Sequence, residues 1–125
     1  TGETCAELAA DFEAKTNSQW TQPLLHYAVF EMAVATIKGA TNPTDKASII
    51  EAAAKMKVDT IAGPIDFTAP VAEGTKRPHK NVYKSPQVAG QWTKSDGGKY
   101  PFELVITTNK LAPEIAAEGT TAPIA

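Results

Sequence analysis

One cysteine, two histidines and no long apolar run set the first limits on this chain. A lone Cys5 cannot close an intrachain disulfide, so a fold of 125 residues must hold together by packing. Metal centres need several ligands at defined spacing, whereas His26 and His79 stand singly and Cys5 has no companion thiol. A nucleophilic pair of Cys5 with His26 is set aside, because Cys5 falls on the apolar stripe of a helical pattern and is expected as a small buried hydrophobe. No stretch reaches the roughly 18 apolar residues that cross a bilayer, and no basic segment followed by an apolar one opens the sequence. The chain starts at Thr1, which reads as processing or as a piece of something longer. Twelve basic residues against fourteen acidic ones give a net charge of -2, which supplies no cationic field for nucleic acid or an anionic membrane. The expectation is a binding or structural chain, with no catalytic residue, metal, cofactor or nucleic-acid partner.

What is present is a helical first half. The 42% hydrophobic content of the whole chain suffices for one modest core. Thr4, three residues before Glu7, forms a capping-box pattern, and Cys5, Leu8, Ala9 and Phe12 then follow at one-face helical spacing. This predicts an amphipathic helix over residues 4–16, ended by Asn17 and Ser18. Pro23 suits the first turn of a second helix, which runs to Lys38 and stops at Gly39. Apolar residues cover nearly its whole circumference, with His26 and Glu31 almost the only polar interruptions before Thr36. Each large side chain left in water forgoes roughly 1.5–3 kcal/mol, so this helix should be packed on several sides. A third helix is expected over residues 44–56, with Ile49, Ala52, Ala53 and Met56 on one stripe and charges elsewhere.

The second half is strand-like. Residues 58–67 are rich in β-branched side chains and are broken by Gly63 and Pro64, which predicts short extended pieces around a tight turn there. Residues 68–80 carry proline, glycine and charge and read as a surface loop. Alternation around Val88, Gly90 and Trp92, turn chemistry at residues 95–98, and alternation at Phe102, Leu104 and Ile106 predict a hairpin. Beyond Asn109 the tail lacks periodicity and is expected to be irregular or strapped onto a neighbouring surface.

Chemistry-bearing groups are few. The glycines between Lys94 and Lys99 lack the lysine–hydroxyl pair and helix start of a phosphate loop, so they read as a hairpin tip. Lys76, Arg77, Lys80 and Lys84, near His79 and Tyr83, form a small basic cluster that is either solvated or recruits an acidic partner. Glu31, inside an apolar helix, requires a donor, and an ion pair with a basic side chain is the expectation. Trp20, Gln22, His26 and Tyr27 gather at the start of the second helix. They read either as an aromatic-plus-polar lining for a carboxylate ligand, or as packing groups with His26 bonded to backbone.

Four segments together carry a family resemblance: Glu7 to Phe12 with Lys15, LLHYAVFEMAVATIKGA over residues 24–40, DKASIIEAAAKM over residues 45–56, and VDTIAGPIDF over residues 58–67. With Gln91-Trp92 before a glycine-rich tip, they resemble the type I periplasmic binding proteins, and more closely the leucine/isoleucine/valine-binding branch of ABC-transporter solute-binding proteins. The resemblance spans essentially the whole chain but only about the last third of the family's sequence. It implies an α/β fold that is part of a two-lobed architecture, with three helices followed by short strands and a C-terminal β-hairpin. Residues 1–19 would then supply a second-lobe helix, 20–80 helices of the N-terminal lobe and a crossing segment, and 81–125 the final strands and tail.

The resemblance implies transport binding without covalent chemistry, in a periplasmic or otherwise extracytoplasmic setting. The implied partners are a small ligand, an amino acid or an aromatic or aliphatic carboxylate, and a membrane permease. Trp20, Gln22 and His26 are the positions carried over as ligand-binding. The loop over residues 68–83 is longer and more basic than the family's usual turn, which leaves the ligand class open. Two other readings stand beside this one: a ligand-sensing regulatory protein of the same fold, and a small self-contained interaction module. Self-association of the chain is a further expectation, from the all-apolar helix.

Overall fold

The computed structural model of the chain describes residues 2–21, 24–70, 81–83, 85 and 87–123. It is mixed α/β, with three helices followed by two antiparallel two-stranded sheets. The contacts divide it into two units, Thr1–Lys84 and Ser85–Ala125.

In the first unit, α1 (Cys5–Thr16) begins with the expected capping box. The Glu7 amide donates to Thr4 Oγ1 at 3.2 Å, and the Thr4 amide donates to the Glu7 carboxylate at 2.8 Å. Two of the helix's unpaired N-terminal donors are thereby satisfied. Asn17 closes the other end in the left-handed region, with φ at 52°, and its amide bonds the Glu13 carbonyl. Leu8 is buried, but Cys5 is exposed, so its expected burial does not hold. Its thiol lies at the outer end of the stripe, 3.9 Å from the Ile61 carbonyl.

The long helix, α2 (Leu24–Gly39), is covered less fully than its composition demands. Ala28 is 1% exposed, yet Val29, Phe30, Val34 and Ile37 are 57%, 73%, 49% and 53% exposed. Helix α3 (Lys46–Ala54) starts on Asp45, whose carboxylate takes the Ser48 amide at 2.8 Å, and is shorter at both ends than expected. It packs beside α2, and Met56 just beyond it is buried.

Strands β1 (Lys57–Thr60) and β2 (Gly63–Asp66) follow, paired from Lys57↔Asp66 to Thr60↔Gly63. The hairpin is as expected, but its turn lies at Ile61 and Ala62, leaving Gly63 and Pro64 on the returning strand. Two features account for the position. Gly63 takes φ of +101°, which a residue with a Cβ rarely adopts, and Thr60 Oγ1 bridges the turn by donating to the Gly63 carbonyl and accepting from the Ala62 amide. Pro64 is tolerated because a two-stranded sheet leaves one side of each strand without a ladder partner. Ile65, 1% exposed, anchors the hairpin in the core of this unit.

The second unit is the expected hairpin of β3 (Ala89–Lys94) and β4 (Phe102–Thr108), in register from Gly90↔Ile106 to Lys94↔Phe102 with an irregularity between Ala89 and Gly90. Gly90 is required there, because a Cβ would stand 2.7 Å from the Val105 carbonyl oxygen. The tail is irregular yet fastened: the Glu118 and Gly119 amides both donate to the Ile106 carbonyl. No described helix is long and apolar enough to cross a membrane.

Candidate functional site

Trp20 is drawn back onto α1. Its ring meets Phe12 edge to face at a centroid distance of 5.1 Å, and its amide donates to the Glu13 carboxylate at 3.3 Å. The left-handed cap at Asn17 turns the chain, so that the tryptophan folds over the helix it has just left. His26, one turn into α2, is exposed. Gln22 lies outside the described residues. Of the three positions expected to bind ligand, Trp20 thus packs against α1 and His26 is exposed. The basic cluster of Lys76, Arg77, Lys80 and Lys84, with His79, also lies outside the described residues. Its neighbour Tyr83 donates its hydroxyl to the Ala62 carbonyl at 3.1 Å and so braces the β1–β2 turn.

Tyr27 belongs to a different arrangement. Its hydroxyl donates to the Glu3 carboxylate at 3.3 Å, and its pKa is raised, first by burial and then by the neighbouring negative charge of Glu3. One turn further, Glu31 accepts the Ile61 amide at 2.8 Å, so backbone at the hairpin turn supplies a donor to it. These two residues head a groove of about 410 Å³ between α2 and β1, lined with Phe30, Val34, Lys38, Val58 and Asp59. The helical lining residues recur at Tyr27, Glu31, Val34 and Lys38, a spacing of three or four that places them on one face. That spacing was readable in advance but was masked by the apolar residues on every other face of the helix.

A second groove of about 310 Å³ lies between α2 and α3, with Gly39, Ser48, Ala52 and Met56 among its lining residues. Its charged rim is internally paired: Lys55 with Glu51, and Lys57 with Asp66 at 3.0 Å. The Asp66 carboxyl is held down to about 2, chiefly by the Thr68 hydroxyl and then by Lys57.

Of the two, the α2–β1 groove is the candidate site, because an apolar floor with charges of both signs at its edge suits an amphipathic occupant. Among the described residues, no group of three or more His, Cys, Asp or Glu side chains is placed to hold a metal ion. No family model, curated protein or solved structure matches the chain.

Proposed function

We propose that this chain is the C-terminal part of an extracytoplasmic solute-binding protein, the receptor of an ABC importer for branched-chain-type amino acids or related small carboxylates. One observation carries the reading. The segment VDTIAGPIDF, on which the resemblance most depends, folds as a tight hairpin whose turn amide is held by Glu31 of the long apolar helix. Two of the segments that carry the resemblance therefore meet in space. The incomplete cover of α2 supports the same reading, since a helix apolar all round belongs in a larger lobe.

The test is a thermal melt of the longer protein that contains this chain, against branched-chain amino acids, aromatic amino acids and small aliphatic carboxylates. A ligand present at a hundredfold excess over its Kd adds about 2.7 kcal/mol, which raises the melting temperature by several degrees. A flat response to all three classes overturns the proposal.

A further inference from the structure

The tip of the second hairpin, residues 95–101, holds two neighbouring groups that the fold leaves unrestrained. Asp96 is followed by Gly97, both are exposed, and both lie between the end of β3 and the start of β4. Gly97 takes φ of +80°, and a Cβ there would meet nothing within 4 Å, whereas at Gly98 it would collide with Ser95 Oγ. Among the described residues, no hydrogen bond engages the Asp96 carboxylate or the Gly97 amide. The other aspartates are each restrained. Asp11 lies within α1, ion-paired with Lys15, and Asp45 caps α3 through the Ser48 amide. Asp59 lies within β1 before the β-branched Thr60. Asp66 is held by Thr68, and the amide that follows it, that of Phe67, donates to the Met56 carbonyl.

We propose that Asp96 is a site of spontaneous isomerisation to isoaspartate. The Gly97 nitrogen attacks Cγ of the protonated Asp96 carboxyl. The N–Cγ bond forms, the Cγ–OH bond breaks, and the hydroxyl leaves with the amide proton as water, giving a five-membered succinimide. Water then adds back to one of its two carbonyls. Opening at Cγ regenerates aspartate, while opening at the former backbone carbonyl leaves the chain running through Cγ. Ring closure needs rotation about the Asp96 backbone and side chain and an unhindered nitrogen, which an exposed aspartate outside the ladder and before glycine supplies. The new linkage lengthens the tip by a methylene and leaves an exposed carboxylate on a branch, within reach of a carboxyl methyltransferase that recognises isoaspartyl residues. At the base of the tip the Ser95 amide bonds the Pro101 carbonyl at 3.0 Å, so the added length is taken up beyond it and the β3–β4 register is kept. This inference is independent of the solute-receptor reading.

Storage of the 125-residue chain for weeks in warm, mildly acidic buffer tests it, read by mass spectrometry after digestion with a protease that cuts before aspartate but not before isoaspartate. The cut before Asp96 should be lost progressively, with a species lighter by one water on the way. That loss should run more than about tenfold faster than at Asp11, Asp45, Asp59 and Asp66, where the fold must first open locally. Methyl transfer by an isoaspartyl carboxyl methyltransferase should rise in step with it. Gly97→Ala should slow the conversion by about tenfold, because a Cβ beside the attacking nitrogen narrows the backbone freedom that ring closure uses. Asp96→Glu should form no methyl-accepting group at this position, since its longer side chain must close a less favourable six-membered ring. Conversion at Asp96 no faster than at the other four aspartates overturns the proposal. So does an unchanged rate in Gly97→Ala, since the reaction then takes another route.

Discussion

The carboxylate of Glu31 accepts the amide proton of Ile61 at 2.8 Å across a separation of 30 residues, fastening the middle of the long helix to the turn of the first hairpin. A charged acceptor makes this bond stronger than a neutral one. Glu31→Leu should therefore destabilise the first unit by about 1–3 kcal/mol, because the Ile61 amide loses its acceptor. Glu31→Gln keeps an acceptor oxygen and should lose less. Urea unfolding followed by circular dichroism distinguishes the two, and equal losses would show that the side chain's bulk matters more than its bond.

Acid should loosen the open end of the same hairpin. Lys57 and Asp66 are cross-strand partners, and the Asp66 carboxylate also takes the Thr68 amide and hydroxyl, which together hold its pKa down to about 2 from an ordinary 3.8. A depressed carboxylate stabilises the fold above its unfolded value and ceases to do so as pH falls through its folded one. The hairpin's stability should accordingly be level above about pH 4 and decline between there and about pH 2. Glu7 and Glu51 are lowered as well, by Thr4 and Lys55, so the slope is shared. A residue-resolved NMR titration separates them, and Asp66→Asn should remove the Asp66 share.

Two glycines should be intolerant for different reasons. Gly63 has φ of +101°, while a Cβ there would meet only the Tyr83 hydroxyl at an ordinary 3.7 Å. Gly63→Ala should cost about 1–2 kcal/mol from backbone strain alone. Gly90 has no such constraint, but a Cβ would press on the Val105 carbonyl oxygen at 2.7 Å and on Leu104. Gly90→Ala should cost about 1–3 kcal/mol by overpacking, relieved in part by Leu104→Ala but not by any change near Gly63. Thermal melts of the single and double variants check both claims.

Trp20 provides a prediction that divides packing from ligand contact. If its edge-to-face contact with Phe12 is its role, Phe12→Ala and Trp20→Ala should each destabilise α1, with a coupling of about 0.5–1.5 kcal/mol in the double-mutant cycle. The tryptophan emission should also shift to the red in Phe12→Ala. In the longer protein, Trp20→Phe should leave ligand response intact, and loss of that response without loss of stability would return Trp20 to the binding site.

Local patterns were legible in the sequence wherever a single element decides its own structure. The Thr4–Glu7 capping box, the three helices and the second hairpin follow from spacing and turn residues, because caps and periodicity act within a few positions. The turn at Ile61 and Ala62 was not legible. Gly63-Pro64 is the stronger turn signal, and it was overridden by the Thr60 side chain bonding both sides of the actual turn. Cys5 falls on an apolar stripe yet is exposed, because a stripe says which residues share a face and not how far the neighbouring element extends over it. The candidate groove was hidden for the same reason: on a helix apolar all round, composition cannot tell the face that β1 borders from the face left bare. Trp20 and His26 looked like neighbours in the sequence, and a left-handed cap at Asn17 sent the tryptophan back to α1.

The tail supplies a last test. Gln91, on β3, donates from Nε2 to the Ala122 carbonyl at 3.0 Å and accepts the Ala122 amide through Oε1 at 2.8 Å. A side-chain amide thus engages one backbone residue at both its donor and its acceptor, as a neighbouring strand would. Thr121 adds a hydroxyl bond to Thr107, and Glu118 and Gly119 hold the Ile106 carbonyl nearer the hairpin. Gln91→Ala should remove the outer fastening while leaving the inner one, at a cost of about 1 kcal/mol given the exposed setting. Hydrogen exchange should then accelerate at Ala122 by about fivefold while the amides of Glu118 and Gly119 keep their protection. Gln91→Glu keeps the acceptor but loses the donor, so it should free the tail partially. Acceleration at all three amides together would mean that the tail releases as one piece and that Gln91 is its single clasp.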